Sequence, residues 1–387
     1  GGVHAGGLAG YLSGGSVERS YSTGKVSGKA NAIPDSTSAG GLAGIANHAT
    51  IANSFSGAYV EVAASKNMYA GGLVGSLGNG EIRNSYAMGM VSNQTASGLY
   101  YLQAAGLAAF SIHSNIVNTY AAGHVDDSNA DGTLFALFNG LIVKIAGSSS
   151  VSGSYFDRLT TGQTVGIGAS DGPDQSGAVG KSTAEMRDPS TYVGWNFEEV
   201  WALHPSINDG YPYLRPVILT TGLADGVKSE LYSLRLEAFD GAGGGIDWSA
   251  SGLPEGLALD ASGMLHGTPR ETGAYDVAIT ARDAGGATAS ATLRLTVAER
   301  APEIADFGIG PGKAFGTTSV TAEPADSEHA FAYMLDDVGA ERPLLGEGLP
   351  EDAVAYTLGR DIPGASPGHF LTMYEIDASA RMRAWQS

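Results

Sequence analysis

Residues 127–134, Asp-Ser-Asn-Ala-Asp-Gly-Thr-Leu, place side-chain oxygens at Asp127, Asn129 and Asp131, a glycine at 132 and a backbone carbonyl at Thr133. That is how a calcium loop opens: oxygens at alternate positions wrap a hard cation and a glycine allows the sharp turn. The twelfth position is Phe138 instead of Glu, so the bidentate closing ligand is missing, with Asp126 as a substitute. A solvated acidic turn explains the same residues and is preferred. Calcium capture by Asp127, Asn129, Asp131 and Thr133 is the second reading. Asp240, Asp247 and Asp283 form another acidic set that could hold calcium or merely solubilise loops. Tyr100, Tyr101 and Phe110 sit near a variable connector, where ring faces could stack on sugars.

Catalytic equipment is sparse. Glu18 and Glu81 flank the apolar Val17 and Ile82 two repeats apart, a separation at the upper end for an inverting carboxylate pair, but no aromatic residues surround them. A solvated face is the expected outcome. His4, His48, His113 and His124 share no spacing with carboxylates that suggests a metal site. No GxSxG, HExxH or P-loop string occurs. The absence of cysteine among 387 residues excludes disulfide scaffolds, thiolate metal sites and cysteine nucleophiles. With 21 basic against 40 acidic residues, net −19, the chain should repel phosphate backbones, so no nucleic-acid partner is expected. No apolar run is long enough for a membrane span within these residues. Fifty-seven glycines against 15 prolines, with no three-residue period, exclude collagen.

The elements that position these residues repeat. AGGLAG (5–10), AGGLAG (39–44), AGGLVG (70–75) and AAGLAA (104–109) recur, as do RSYSTGKV (19–26), NSFSGAYV (53–60), NSYAMGMV (84–91) and NTYAAGHV (118–125). Leu8, Leu42, Leu73, Leu107 and Ile142 are each followed nine residues later by Val17, Ile51, Ile82, Ile116 and Val151. Four residues further come Tyr21, Phe55, Tyr86, Tyr120 and Tyr155, and five beyond the first four rings stand Val26, Val60, Val91 and Val125. A constant block with variable connectors fits a stacked coil, in which inward positions must superpose and loops are free to vary. Ile82, Asn84 and Tyr86 have strand parity, which predicts one shared face and an interior ring column, with stacked Asn amides satisfying one another. The prediction is a β-solenoid of about five coils over 1–157.

The pattern GGLVG, then IxNSYA, then GxV, resembles the GLUG motif of bacterial surface proteins, including adhesins. The resemblance implies an exported surface protein; it does not imply peptidase activity. Gly1 already lies close to a repeat motif, which suggests a piece of a longer chain.

Residues 158–216 break the pattern. The stretch 160–180 reads as an irregular loop, STAEMRD (182–188) as a short helix with a Ser or Thr N-cap, and WNFEEVW with NDGYPYL as an aromatic cap on the solenoid end. From 217 to 299 the period becomes two. YDVAITARD and ATLRLTVAE flank a turn-rich connector, and GLPEGLALD, GMLHGTP and GAYDVAITARD resemble the He-PIG, cadherin-like immunoglobulin module of bacterial surface proteins, which implies a seven-stranded sandwich. Residues 300–387 read as a small acidic β-rich domain. The expected fold class is therefore all-β. The expected function is non-catalytic adhesion, binding and spacing on an extracellular, secreted or wall-displayed protein, with variable loops offered to a polysaccharide or cell-surface partner. The alternative is a set of ancillary carbohydrate-binding modules of a large secreted carbohydrate-active enzyme.

Overall fold

The computed structural model describes residues 2–387 except 30–35, 64–66, 94–100, 127, 129–134, 171–176, 315–316, 339 and 365–368. The chain falls into two compact units: residues 1–217 with 238–246 and 282–289, and residues 218–237 with 247–281 and 290–387.

The first unit is built on a β-solenoid of stacked parallel strands. One sheet stacks Val3–Gly6, Ser36–Gly40, Asn67–Gly71, Tyr101–Ala105 and Phe135–Asn139, with Ala5, Ala39, Ala70, Ala104 and Phe138 in one row. A second stacks Ala9–Ser13, Ala43–Asn47, Val74–Gly78, Ala108–Ile112, Ile142–Ala146 and Ile167–Ser170. The third runs through Ser16–Glu18, Thr50–Ala52, Glu81–Ala87, Asn115–Ala121, Ser154–Asp157 and Ala178–Lys181. The fourth holds Lys25–Lys29, Tyr59–Ala63 and Val91–Asn93.

The aliphatic columns are interior, but there are two. Leu42, Leu73, Leu107 and Leu141 pack with Ile51, Ile82, Ile116 and Val151. Val26, Val60, Val91 and Val125 pack separately with Met68 and Leu102. Leu141, not Ile142, occupies the Leu column: the Leu107 N–H donates to the Leu141 carbonyl, and Ile142 pairs with Ala108. The extra residue enters at the next corner, where Asn115 pairs with Ser150.

The expected interior ring column is corrected. Arg19, Asn53, Asn84 and Asn118 have φ of 45°, 48°, 48° and 53°, with Gly153 at 55° in the following coil. A left-handed residue breaks strand alternation, so Ile82 and Tyr86 point to opposite sides. Ser54, Ser85, Thr119 and Ser154 turn inward instead and are fully buried. The Ser85 hydroxyl accepts from the Ser54 N–H and donates to its own coil at the Arg83 carbonyl. The asparagines form the expected ladder: the Asn84 amide donates to Asn53 at 3.3 Å and the Asn118 amide to Asn84 at 3.4 Å.

Tyr21, Phe55, Tyr86 and Tyr120 stack outside the solenoid, with centroids 5.1, 4.8 and 4.9 Å apart and nearly parallel planes. Residues 182–217 lie over this column, burying Met186, Tyr192, Trp195, Trp201, Tyr211 and Leu214 against Tyr86, Tyr120 and Tyr155. These residues therefore lie along a flank of the solenoid. Within 160–180, read from sequence as irregular, Ile167–Ser170 and Ala178–Lys181 add strands to the second and third sheets. The helix Thr183–Met186 starts at Ser182, whose hydroxyl accepts from the Glu185 N–H, while the Glu185 carboxylate accepts from the Ser182 N–H.

A four-stranded sheet (Gly226–Val227, Thr288–Ala298, Gly273–Asp283, Ile246–Ser251) and a three-stranded one (Tyr232–Arg235, Met264–Gly267, Leu257–Leu259) make the Ig-like module. Val277, Ile279, Leu295 and Val297 alternate inward, as the period of two requires. The last residues form two antiparallel sheets, one of Gly308–Pro311, Thr318–Thr321 and Asp361–Ile362, the other of Val354–Tyr356, Ala330–Asp336, Phe370–Ile376 and Met382–Gln386.

Candidate functional site

The first and second sheets meet at the Gly-Gly-Leu turns almost backbone to backbone. A Cβ on Gly44 of the second sheet would lie 2.7 Å from the Ala5 nitrogen and 2.8 Å from the Ser38 carbonyl oxygen of the first, and one on Gly75 would lie 2.8 Å from the Ala39 nitrogen. No side chain fits there, so the outward side chains of both sheets converge on one corner.

Along this corner the Tyr101 and Phe135 rings stack at 5.1 Å and 12°. They are 45% and 56% exposed. Tyr69 reaches across to Phe110, with centroids 6.4 Å apart. Asn67 is in register with Tyr101, and Tyr69 with Gln103 and then Leu137. Burial pushes the Tyr69 phenol up, Lys144 opposes this, and Tyr101 adds to it. None of the strands of these two sheets contains Asp or Glu, and His4 and Lys144 are their only ionisable side chains besides tyrosine. On a chain of net charge −19, that leaves an aromatic and amide strip whose described strands carry no acid.

Two of the sequence-identified ring residues, Tyr101 and Phe110, come together here through Tyr69; Tyr100 lies outside the described residues. Tyr69, Gln103 and Phe135 were missed, although Phe135 follows Tyr101 by 34 residues and Gln103 follows Tyr69 by the same step.

Asp127, Asn129, Asp131 and Thr133 lie outside the described residues. Asp126 accepts from the Ser128 N–H and the Ser92 hydroxyl, each at 3.0 Å. Ser128 foremost, aided by Ser92, holds its carboxyl below the usual range. Among the described residues no group of three or more His, Asp or Glu is placed to hold a metal. Asp283 is buried with Oδ2 unpartnered, Asp240 accepts the Ala242 and Gly245 N–H groups, and Asp247 is exposed.

Glu18 and Glu81 are not equivalent. Glu18 aligns through Ala52 with Arg83, whereas Glu81 aligns through Thr50 with Ser16. Arg83 lies 3.6 Å from Glu18 and 3.7 Å from Glu81, so a cation fills the space where an acid/base pair would hold substrate. Glu61 is likewise held by Lys25 at 3.1 Å and Lys29 at 3.7 Å.

Three family models match parts of the chain: the GLUG motif at residues 1–27 and 66–93, a domain described as "Putative Ig domain" at 215–298, and the S-layer protein SbsC C-terminal domain at 310–387. The matched Ig-like and S-layer modules are surface-protein types and not catalytic domains. A curated protein of Evansella cellulosilytica, named "Putative Gly-rich membrane protein", is 30% identical over 148 residues, which cover 37% of this chain and 11% of that protein. Domains 7, 8 and 9 of the S-layer protein SbsC are 21% identical over 37% of this chain and 45% of theirs, with a TM-score of 0.24. The Bacteroides ovatus protein SGBP-B, solved with a mixed-linkage heptasaccharide, is 17% identical over 44% of this chain and 46% of its own, with a TM-score of 0.19. No helix among the described residues is long and apolar enough to cross a membrane. Residues 1–93 thus carry GLUG motifs and residues 215–298 a putative Ig domain, in that order.

Proposed function

We propose that this chain is a non-catalytic binding and spacing segment of an extracellular or cell-surface protein, and that its solenoid presents the corner around Tyr101 and Phe110 to a surface glycan. In this reading 1–157 is the solenoid, 158–216 its cap, 217–299 the Ig-like module and 300–387 a small acidic β module. The observation that carries the proposal is the aromatic and amide strip with its exposed Tyr101–Phe135 stack. Rings bury large apolar area at low entropic cost, so two half-exposed rings held parallel on a rigid sheet are a ready platform for the C–H face of a sugar. Matches to S-layer and Ig-like modules support the surface setting.

The test is retention of the chain on a panel of polysaccharides and isolated cell walls, with a Tyr101→Ala/Phe135→Ala double variant alongside. Wild-type retention lost in the double variant is expected; equal retention of both, or none of either, overturns the site. New reducing ends in the incubated polysaccharide overturn the non-catalytic reading. Calcium at Asp127–Thr133 belongs to the proposal too. A melting temperature unchanged between chelator and millimolar calcium removes it.

A further inference from the structure

The corner contains two acceptors with nothing to accept. The carbonyl oxygens of Gln103 and Asn67 are buried and make no hydrogen bond. Gln103 is only 9% exposed, although its register with Tyr69 and Leu137 puts it on the outward face of the first sheet. Asn67 uses its amide N–H on the Ser36 hydroxyl at 3.3 Å, which leaves its carbonyl oxygen as the unpaired part. Unpaired buried carbonyls are costly and uncommon, and one on a ligand-facing surface signals a missing donor.

Their arrangement says which donor. Asn67 lies beside Tyr101, and Tyr69 beside Gln103, so on two adjacent rungs amides and phenol rings alternate as a checkerboard. Phe110 lies against Tyr69 across the corner, and Phe135 stacks on Tyr101. An apolar peptide face would cover the rings and leave both carbonyls unpaired. An anionic ligand would bring its charge against two carbonyl dipoles. A neutral, hydroxyl-rich chain satisfies both: C–H faces on the rings and O–H donors on the amides. We infer that Gln103 and Asn67 are the hydrogen-bond acceptors of a subsite for a neutral polysaccharide, set between Tyr69 and Tyr101. This rests on the glycan-binding reading of the corner and adds its selectivity.

Gln103→Leu separates this role from a structural one. Removing an unsatisfied buried amide should leave the melting temperature of the full chain unchanged or raise it. Affinity for the neutral polysaccharide retained by wild type, measured by titration calorimetry, should meanwhile fall about tenfold. Tyr101→Ala should weaken the same binding. If Gln103→Leu lowers the melting temperature by several degrees, the amide is satisfied internally and the inference is wrong. It is also wrong if Gln103→Leu binds as wild type while Tyr101→Ala does not, although the glycan-binding corner then survives. Preference for an acidic polysaccharide over every neutral one overturns the subsite but not the corner. Absence of wild-type binding to any polysaccharide overturns both.

Discussion

The rings of Tyr86 and Tyr120 stack 4.9 Å apart at 6°, one coil from the next, yet they belong to a different core from Ile82 and Ile116 four residues before them. The cap closes over them: the Tyr120 hydroxyl donates to the Pro212 carbonyl at 2.7 Å and accepts from the Asn208 amide. Burial raises both phenols well above their ordinary range.

Trp201 is the hinge of that closure. It is fully buried and packs on Tyr86, Tyr120 and Trp195, while its indole N–H has no partner. Trp201→Ala should cost about 3–5 kcal/mol, as truncation of a large buried ring does. Trp201→Phe should cost much less, because it keeps most of the packing and removes an unsatisfied donor. Denaturant melts followed by far-UV circular dichroism measure both. Equal losses for the two variants would contradict this packing.

Asn84 carries the left-handed corner at φ 48°. Asn84→Ala should cost about 1 kcal/mol, because alanine lacks the short polar side chain by which asparagine tolerates that conformation, and more for the lost ladder bonds to Asn53 and Asn118. Asn84→Gly should recover the backbone part only. If glycine is as damaging as alanine in thermal melts, the ladder and not the corner sets the cost.

These corners mark where the sequence could be read and where it misled. The Leu, Ile and Val columns were legible because a stack superposes like residues at fixed steps, and Val26, Val60, Val91 and Val125 do align as spaced. The rings were assigned to the wrong side because parity counts every residue as extended, and the left-handed residue between each aliphatic and its ring (Arg19, Asn53, Asn84, Asn118 or Gly153) shifts the count. Asn at that recurring position was itself the available signal, since it tolerates positive φ better than other non-glycine residues. The slip from Ile142 to Leu141 arose because both are apolar neighbours and the inserted corner residue comes after them. The partners of Tyr101 and Phe110 were hidden for another reason. Tyr69 and Phe110 are 41 residues apart and meet only because glycines let two sheets close on each other.

Glu61 should make the solenoid acid-sensitive. Its side chain is 8% exposed, and Lys25, with Lys29 and Ser27, holds the carboxyl below its ordinary value. A depressed folded value contributes stability above the unfolded pKa of about 4.3, lost as pH falls through the folded one. Glu61→Gln should therefore melt lower than wild type at pH 7, with the gap closing as pH falls below about 4. A gap independent of pH would show that the Lys25 pair is not its source.

Asp283 should act in the opposite sense. Its carboxyl is buried, Oδ1 accepts the Ala287 N–H at 2.8 Å, and Oδ2 has no partner. Burial raises its pKa, the backbone N–H groups oppose this, and the charge of Asp240 adds to it. The neutral acid is thus the form the fold prefers: stability is greatest below the unfolded value of about 3.9 and declines as pH rises through the folded value. Asp283→Asn keeps an acceptor for Ala287 and cannot ionise. It should raise the melting temperature at pH 7 and match wild type near pH 3. A variant that melts lower at neutral pH would mean that the ionised carboxylate is held by a partner the native fold supplies.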